Sequence, residues 1–381
     1  MSYLEYRVTS IPTGFSKILY LNWALIILLI GIASISCVML YSVGGTYSTW
    51  ADPQLKRFIF TFSMMFAIAM VPIWFWRNMS FLAYVIALLL LVLVGFIGST
   101  GMGAQRWIDL GFIRLQPSEL IKLAIVMALA AYYDMLPERK VSRPFFVLLP
   151  VFFIALPTFL VLRQPDLGTG LLILITGGTV MYLAGVHWIY FATLLATGAS
   201  MMFAVVQSRG TTWQLLKDYQ FKRIDTFIDP ASDPLGAGYH ITQSKIALGS
   251  GGLSGRGLTH GTQSQLNFLP EKHTDFIFTT LAEEFGFVGG LSLLIMYMLV
   301  LVFCIISALE TKDRFSALLI SGTAMTFFSF FAVNMSMVMG LMPVVGVPLP
   351  LVSWGGSAML VLMAGFGLIQ SAHVHRPRTK K

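Results

Sequence analysis

Charged side chains are scarce in this sequence of 381 residues. The 25 Lys and Arg residues and the 17 Asp and Glu residues make up 11% of the chain, whereas soluble domains average about 25%. Because 56% of the residues are hydrophobic, the composition argues against a soluble multidomain enzyme and against a disordered chain. A net charge of +8 at this low charge density indicates a membrane protein with basic cytoplasmic loops, and no nucleic-acid partner is expected.

Cysteines and zinc-binding patterns are also lacking. The two cysteines, Cys37 and Cys304, lie in apolar runs, which excludes a disulfide framework. His240, His260 and His273 are separated by 20 and 13 residues, a spacing that fits no zinc site. A Mg²⁺ or Mn²⁺ ion that bridges a diphosphate to a carboxylate is the better cofactor candidate, because such ions need few protein ligands. No organic cofactor is expected.

Long apolar runs, by contrast, are abundant. A bilayer core of about 30 Å needs about 20 apolar residues in each helix, and ten runs approach that length. They predict an all-α polytopic membrane protein, with residues 1–381 as a single domain of about ten transmembrane helices. The runs lie at 19–43, 57–76, 79–98, 117–135, 144–162, 167–186, 188–207, 276–309, 315–340 and 351–372.

The basic residues predict how the chain is oriented. With the N-terminus inside, the inner segments carry 12 of the 25 Lys and Arg residues, and seven others lie in one long outer loop. Setting that loop aside leaves 12 basic residues inside and six outside, which is the bias of cytoplasmic loops. Both termini are therefore predicted to be cytoplasmic, with the basic tail at 375–381 as the clearest signal.

One connection is much longer than the others. Residues 208–275 form a large extracytoplasmic loop of 68 residues, and a connection of that length in a compact bundle is usually functional. Within it, 213–228 predicts an amphipathic helix that either packs on the loop or lies in the membrane interface. The glycine-rich stretch 249–257 is better interpreted as a flexible loop than as a backbone cradle for phosphate.

Ionisable residues at membrane depth are costly and by default indicate a functional site. Arg106 precedes a helix start at QPSE, where Glu119 and Lys122 share one helical face. These residues predict either a local ion pair or a polar lining for a ligand at the outer leaflet. We favour the lining, because an ammonium group so close to lipid costs more than a capping carboxylate.

Ionisable residues also occur at two further places on the predicted outer side. Arg163, Gln164 and Asp166 precede the sixth run, where Asp166 could equally well cap a helix. Lys245 lies in a semi-apolar stretch of the long loop.

Four titratable residues cluster directly before the eighth run: Glu271, Lys272, His273 and Asp275. Capping the helix needs only one of them. The group therefore exceeds a structural requirement and predicts an acid/base site.

Six stretches around these residues resemble the signature sequences of the SEDS family of membrane glycosyltransferases. The resemblance covers essentially the whole chain, and it is specific because the stretches occur together. They are GAQRWIDLG at 103–111, QPSE at 116–119, QPDLGT at 164–169, DPLGAGYHITQSKIALGSGGL at 233–253, HGTQSQLNFLPEKHTDFIF at 260–278 and PVVGVPLPLVSWGGS at 343–357. The 260–278 stretch looks more like the elongation branch than the division branch. Trp354 stands where the family often has Tyr, which affects no catalytic residue.

The resemblance implies an enzyme of the bacterial inner membrane that polymerises lipid II into glycan strands for cell-wall elongation, with its active site on the outer side. It implies that Asp275 is the catalytic carboxylate. It also implies a partner, a class B penicillin-binding protein (a transpeptidase of the penicillin-binding protein 2 type), within the elongation complex. The candidate substrate-binding residues are Arg106, Trp107, Glu119, Lys122, Arg163, Gln164, Asp166, His240, Lys245, Glu271, Lys272 and His273.

Two functions from other classes stay open at this stage. A lipid II flippase predicts charges near the membrane midplane and paired broken helices in two related halves. A non-catalytic scaffold for the transpeptidase predicts that Asp275 is dispensable for glycan synthesis. The charges of this chain collect at the outer ends of the apolar runs, which favours chemistry at that surface.

Overall fold

The computed structural model of the chain describes residues 9–10, 12, 14–101, 104–109, 114–211, 214, 221, 225, 237–266, 268–269, 271–376 and 378–379. Apart from residues 214, 221 and 225, the amphipathic helix predicted at 213–228 lies outside the described residues.

Long helices dominate the described part of the chain. In order they are α1 (Trp23–Gly44), α2 (Asp52–Met70), α3 (Ile73–Ile97), α4 (Pro117–Met135), α5 (Pro144–Arg163), α6 (Leu167–Leu183), α7 (Trp188–Gln207), α8 (Ala237–Ser250), α9 (Thr262–Gln265), α10 (Ile277–Glu310), α11 (Arg314–Val338) and α12 (Gly356–Val374). Short turns of 3₁₀-helix lie at Gly14–Tyr20 and Glu138–Lys140, and a π-helical turn lies at Tyr47–Ala51.

Each of the ten predicted apolar runs overlaps one of these helices. Among the described helices, seven are long and apolar enough to cross a membrane, namely α1, α3, α5, α7, α10, α11 and α12. Of the other three, α2 and α4 contain charged residues, and α6 has only 17 residues. The predicted fold class, an all-α polytopic membrane protein, is confirmed. The division into a single domain and the membrane boundaries of the spans stay predictions.

The last helix begins later than its apolar run. It starts at Gly356 and not at 351, because the preceding segment 340–355 consists of turns and irregular backbone. Pro343, Pro348 and Pro350 interrupt that segment, and each lacks the N–H that a helix needs.

Two small antiparallel sheets complete the fold. Strand β1 (Thr9–Ser10) pairs with β5 (Arg378–Thr379), which brings an early and a late segment of the chain together. Between α3 and α4, β3 (Ala104–Asp109) pairs with β2 (Ser99–Gly101) on one side and β4 (Arg114–Leu115) on the other.

Helix α11 lies at the centre of the bundle. One buried hydrophobic cluster joins it to α1, α2, α10 and α12, and a second joins it to α3, α4, α5 and α6. Phe327 and Phe330 of α11 belong to the first cluster, whereas Phe315 and Leu319 belong to the second. A polar side chain on α11 is therefore held in place by helices of both hydrophobic clusters.

Helix α10 is broken at Gly286, which has φ 67° and ψ −163°. The break frees backbone groups of the helix, and the glycine-rich segment pairs with them. Four hydrogen bonds join the two: Arg256 N–H to Glu283 C=O (3.0 Å), Gly257 N–H to Glu284 C=O (2.9 Å), Phe287 N–H to Gly252 C=O (2.8 Å) and Val288 N–H to Leu253 C=O (3.2 Å). The glycine-rich segment is thus docked on a helix, which corrects its interpretation as a flexible loop. The N–H groups of Arg256 and Gly257 are occupied by these hydrogen bonds.

Gly286→Ala is expected to destabilise the protein. Only glycine adopts this backbone region readily, and other residues lose about 1–3 kcal/mol there. An added Cβ would also lie 2.3 Å from the backbone nitrogen of Gly255. Thermal unfolding in detergent should therefore show a lower Tm for this variant.

Gly249→Ala is the matched control, because an added Cβ at this position on α8 meets nothing within 4 Å. Alanine is also the better helix former by about 1 kcal/mol. Equal losses of Tm in the two variants would contradict the structural role of the break.

Candidate active site

Asp275 lies in a turn at 271–276, directly before α10. Its carboxylate is close to the segment 340–355: a Cβ added at Gly346 would lie 3.7 Å from Asp275 Oδ2. Gly346 itself has φ +69°, so the segment bends here in a way that other residues rarely adopt. Burial raises the pKa of Asp275 to about 6, and the negative charge of Glu271 adds to this shift. A carboxylate with such a pKa is ionised at neutral pH and yet basic enough to accept a proton.

The other three titratable residues of this turn are engaged in contacts. Glu271 Oε2 accepts a hydrogen bond from Thr274 Oγ1 at 2.9 Å, and Lys272 Nζ donates to the carbonyl of Ser264 at 2.5 Å. Burial lowers the pKa of Lys272 and, likewise, the pKa of His273. These contacts leave Asp275 as the group of the turn best suited to act as a base.

Aromatic rings cover one side of the turn. The His273 ring stacks on Trp50 with 4.5 Å between centroids, and Trp50 meets Trp354 edge-on at 4.9 Å. The Arg57 guanidinium lies 3.8 Å above the Trp354 ring. Three of these residues, Trp50, Arg57 and Trp354, were not predicted as part of the site. Arg57 could have been noticed, because it is a charged residue at the start of an apolar run.

A second polar group forms where β3 meets the start of α6. Arg106 donates from Nε to the carbonyl of Gln164 (3.0 Å) and from Nη2 to the carbonyl of Pro165 (2.7 Å). Its Nη1 is 3.8 Å from Asp166 Oδ2, and Asp166 Oδ1 accepts from the N–H of Thr169 at 3.0 Å. Asp166 therefore caps α6 and also pairs with Arg106.

Glu119 and Lys122 form a buried ion pair on α4. Lys122 Nζ is 2.7 Å from Glu119 Oε1, and the Lys122 side chain is completely shielded from solvent. The ammonium group also lies 4.0 Å from the centre of the Phe330 ring on α11. Glu119 Oε2 has no hydrogen-bond partner among the described residues. The local ion pair that the sequence left open is present, and a ligand-binding role for it stays a prediction.

The remaining predicted residues are less closely grouped. Trp107 lies partly buried on β3, and Arg163 is exposed with its guanidinium 4.9 Å from the Phe159 ring. On α8, the His240 ring lies 6.3 Å from that of Phe276, and Lys245 is exposed. Lys245 packs against Gly340: a Cβ added at Gly340 would lie 2.8 Å from Lys245 Nζ.

The segment 340–355 contacts both the start of α6 and the turn that carries Asp275. On one side, a Cβ on Gly168 would lie 2.7 Å from the carbonyl oxygen of Val345, and Gly168 is two residues from Asp166. On the other side, Gly346 faces Asp275. The segment therefore forms a shared wall between the start of α6 and the turn that carries Asp275.

The donor set for a divalent ion is small. Among the described residues, no group of three or more His, Cys, Asp or Glu side chains could hold a metal. An ion held mainly by substrate phosphates needs only one or two carboxylate ligands from the protein. Such an ion stays a proposal.

This site, at one end of a polytopic helical bundle, matches a known class of membrane enzyme. The chain belongs to the FtsW/RodA/SpoVE family, described as "Cell cycle protein", whose model matches residues 16–378. This is the SEDS family predicted from the sequence. The predicted enzyme class, a peptidoglycan glycosyltransferase, is confirmed with it.

Individual relatives agree with the family. The chain is 40% identical over 365 residues to the peptidoglycan glycosyltransferase MrdB of Escherichia coli K12, covering 95% of this chain and 96% of the relative. It is 37% identical over 297 residues to the probable peptidoglycan glycosyltransferase FtsW of E. coli O6:H1, covering 77% and 69%. The match to MrdB is thus the longer of the two.

Solved structures share the fold. A chain from a structure titled "Structural coordination of polymerization and crosslinking by a peptidoglycan synthase complex" matches with a TM-score of 0.81 at 30% identity, covering 93% of this chain and 97% of that one. The crystal structure of the rod shape determining protein RodA of Thermus thermophilus matches with a TM-score of 0.70 at 28% identity, covering 93% and 97%.

Proposed function

We propose that the chain polymerises lipid II into glycan strands on the outer face of the membrane, with Asp275 as the general base. The observation that carries the proposal is the Asp275 carboxylate, held partly buried before α10 with its pKa raised to about 6. The likeness to peptidoglycan glycosyltransferases over nearly the whole chain supports the substrate class.

The reaction needs one displacement. The growing strand, still attached to its lipid diphosphate, is the glycosyl donor, and incoming lipid II is the acceptor. Asp275 takes the proton of the acceptor sugar's 4-hydroxyl while that oxygen attacks the donor's anomeric carbon. The bond from this carbon to the diphosphate oxygen breaks, and the lipid diphosphate leaves with the electron pair. An α-linked donor then gives a β-linked product, so a single base suffices.

The leaving diphosphate also needs a cation. Arg106 and Lys122 are held by carbonyl and carboxylate oxygens of the protein, whereas Arg163 and Lys245 are exposed. Lys245 is the better candidate, because α8 packs directly on α10, which follows Asp275. In this proposal, Arg106, Gln164 and Asp166 shape the wall of the site, and the charge of Lys245 offsets that of the diphosphate.

The orientation and the partner belong to the same proposal. Pairing of Thr9 with Thr379 supports termini on one side of the membrane, and the basic tail supports the cytoplasmic side. The turn with Asp275 would then face outward. Similarity to a chain of a peptidoglycan synthase complex supports a penicillin-binding protein as the partner.

A reconstituted assay tests the proposed function. The purified chain and a class B penicillin-binding protein are placed in liposomes with fluorescent lipid II, and the products are separated on a gel. We expect glycan polymer that depends on this chain. Transfer of lipid II between leaflets without polymer would favour a flippase, and polymer formation that does not require this chain would favour a scaffold.

A further inference from the structure

The turn that carries Asp275 is held by three hydrogen bonds to three consecutive carbonyl groups. His273 C=O accepts from the N–H of Trp354 at 2.9 Å, Thr274 C=O accepts from Ser353 Oγ at 2.5 Å, and Asp275 C=O accepts from Asn334 Nδ2 at 2.8 Å. The first two donors belong to the segment 340–355. The third is a side chain of the central helix α11.

Asn334 is the donor that connects all three parts of this arrangement. Its Nδ2 donates a second hydrogen bond, at 2.7 Å, to the carbonyl of Val347. Both neighbours are carbonyl oxygens, so the amide must present its nitrogen to them. One side chain thus ties the Asp275 turn, the segment 340–355 and α11 together.

The surroundings of Asn334 indicate that this polar residue has a specific task. The side chain is completely buried, and its neighbours along the helix are apolar and buried, among them Val333, Met335 and Val338. An amide in such a place costs free energy unless it is hydrogen-bonded. One of its two hydrogen bonds ends on Asp275 and the other on Val347 of the segment 340–355, so together they fix Asp275 against that segment.

We propose that Asn334 is a positioning residue for Asp275: its amide holds the turn against the segment 340–355, so that the carboxylate stays shielded and aimed at the acceptor hydroxyl. The inference rests on the proposed function of Asp275 as the base. Asn334 would touch no substrate and would act only through the turn.

Titratable groups lie on the elements packed around Asp275, and Glu271 is the one whose charge raises the pKa of Asp275. They are Glu271, Lys272 and His273 in its own turn, His240 and Lys245 on α8, Asp166 at the start of α6, and Arg57 beyond Trp354. Residues 330–355, in α11 and the segment that follows, contain no titratable side chain. Because burial is the largest cause of the raised pKa of Asp275, loosening the turn would admit water and lower that pKa.

The test is Asn334→Leu, which removes the donor and keeps a similar volume. We expect kcat for lipid II polymerisation to fall about 10- to 100-fold, the effect of a misplaced reacting group, with little change in KM. The acidic limb of the pH profile of kcat/KM should move below its wild-type position near pH 6. Asn334→Ser keeps one hydrogen-bond donor, and its kcat should lie between those of the wild type and Asn334→Leu. Where Asn334→Leu does not accumulate, Asn334→Ala, which adds no bulk, takes its place.

Gln370→Met is the matched control. Gln370 is also completely buried on a helix, and its side chain accepts from Asn22 N–H (2.9 Å) and donates to Asn22 C=O (3.1 Å). This variant loses two comparable long-range hydrogen bonds away from Asp275, and it should lower Tm without changing kcat or the acidic limb.

The outcomes separate this inference from the proposed function. If Asn334→Leu keeps the wild-type acidic limb and loses no more activity than Gln370→Met, Asn334 is merely structural and the inference is wrong. If Asp275→Asn is inactive in the same assay, Asp275 remains the base even when Asn334 proves to be merely structural. An active Asp275→Asn variant would overturn the base assignment and the role of Asn334 together.

Discussion

Asp275→Asn is expected to reduce lipid II polymerisation by about 10²–10⁴-fold, the usual contribution of a general base. The amide has nearly the same shape as the carboxylate but cannot take a proton from the acceptor hydroxyl. The backbone carbonyl of Asp275 keeps its bond to Asn334 (2.8 Å) in the variant, so the turn should stay in place. The rate of polymer formation at saturating lipid II is the measurement, and an unchanged Tm would show that the fold is intact.

Asp52→Asn is the control for this chemical change. Asp52 lies at the start of α2 and pairs with Lys56 at 2.7 Å, with the Lys56 side chain 74% exposed. Such surface pairs contribute about 0–1 kcal/mol, so this variant should polymerise lipid II normally. Full activity of Asp275→Asn in a folded protein would exclude Asp275 as the base.

Lys122→Met is expected to destabilise the protein by about 3–5 kcal/mol, the loss measured when one partner of a buried ion pair is removed. Methionine fills a similar volume, but it leaves the Glu119 carboxylate buried among α4 and α11 without its cation. Loss of Tm in detergent and reduced accumulation in the membrane are the readouts.

A double variant separates stability from binding at this pair. Replacing both charges by apolar residues of similar size is often neutral or stabilising, so Glu119→Met combined with Lys122→Met should recover most of the lost Tm. If the pair also lines the ligand site, the double variant should regain stability without regaining lipid II polymerisation. Recovery of both properties would mean that the pair is only structural.

The helices could be predicted from sequence because the bilayer imposes their length and apolarity. Nine of the helices at the apolar runs begin within five residues of the predicted start, and α3 begins six residues before it. Helix α12 begins five residues late, at Gly356, because three prolines interrupt the segment before it.

Part of the candidate site could also be predicted. Charges such as Lys122 and Asp275 are rare enough at membrane depth to stand out in the sequence. Their partners were harder to find, because Arg106 donates to backbone carbonyls and Asp275 is held through its own backbone carbonyl. Backbone groups carry no sequence signal. Asn334 could have been noticed as a lone amide within an apolar run, but nothing in the sequence places it beside Asp275.

The break at Gly286 was missed for a related reason. A glycine inside an apolar run is common, and the backbone pairing that requires it comes from a segment about 30 residues earlier in the chain. Pairing between distant segments cannot be deduced from local periodicity.

The pH dependence of kcat/KM for the wild-type enzyme tests the role of Asp275 most directly, because this parameter reports the groups of the free enzyme. The base must be deprotonated, and the pKa of Asp275 is raised to about 6. Polymerisation should therefore be nearly constant above pH 7 and fall tenfold for each pH unit well below pH 6. Titration of Asp275 should not lower Tm over that range, because a carboxyl whose pKa is raised by folding stabilises the folded state when it is protonated. A rate that stays constant down to pH 5, or that falls only near pH 4 as for an ordinary carboxylate, would contradict Asp275 as the base.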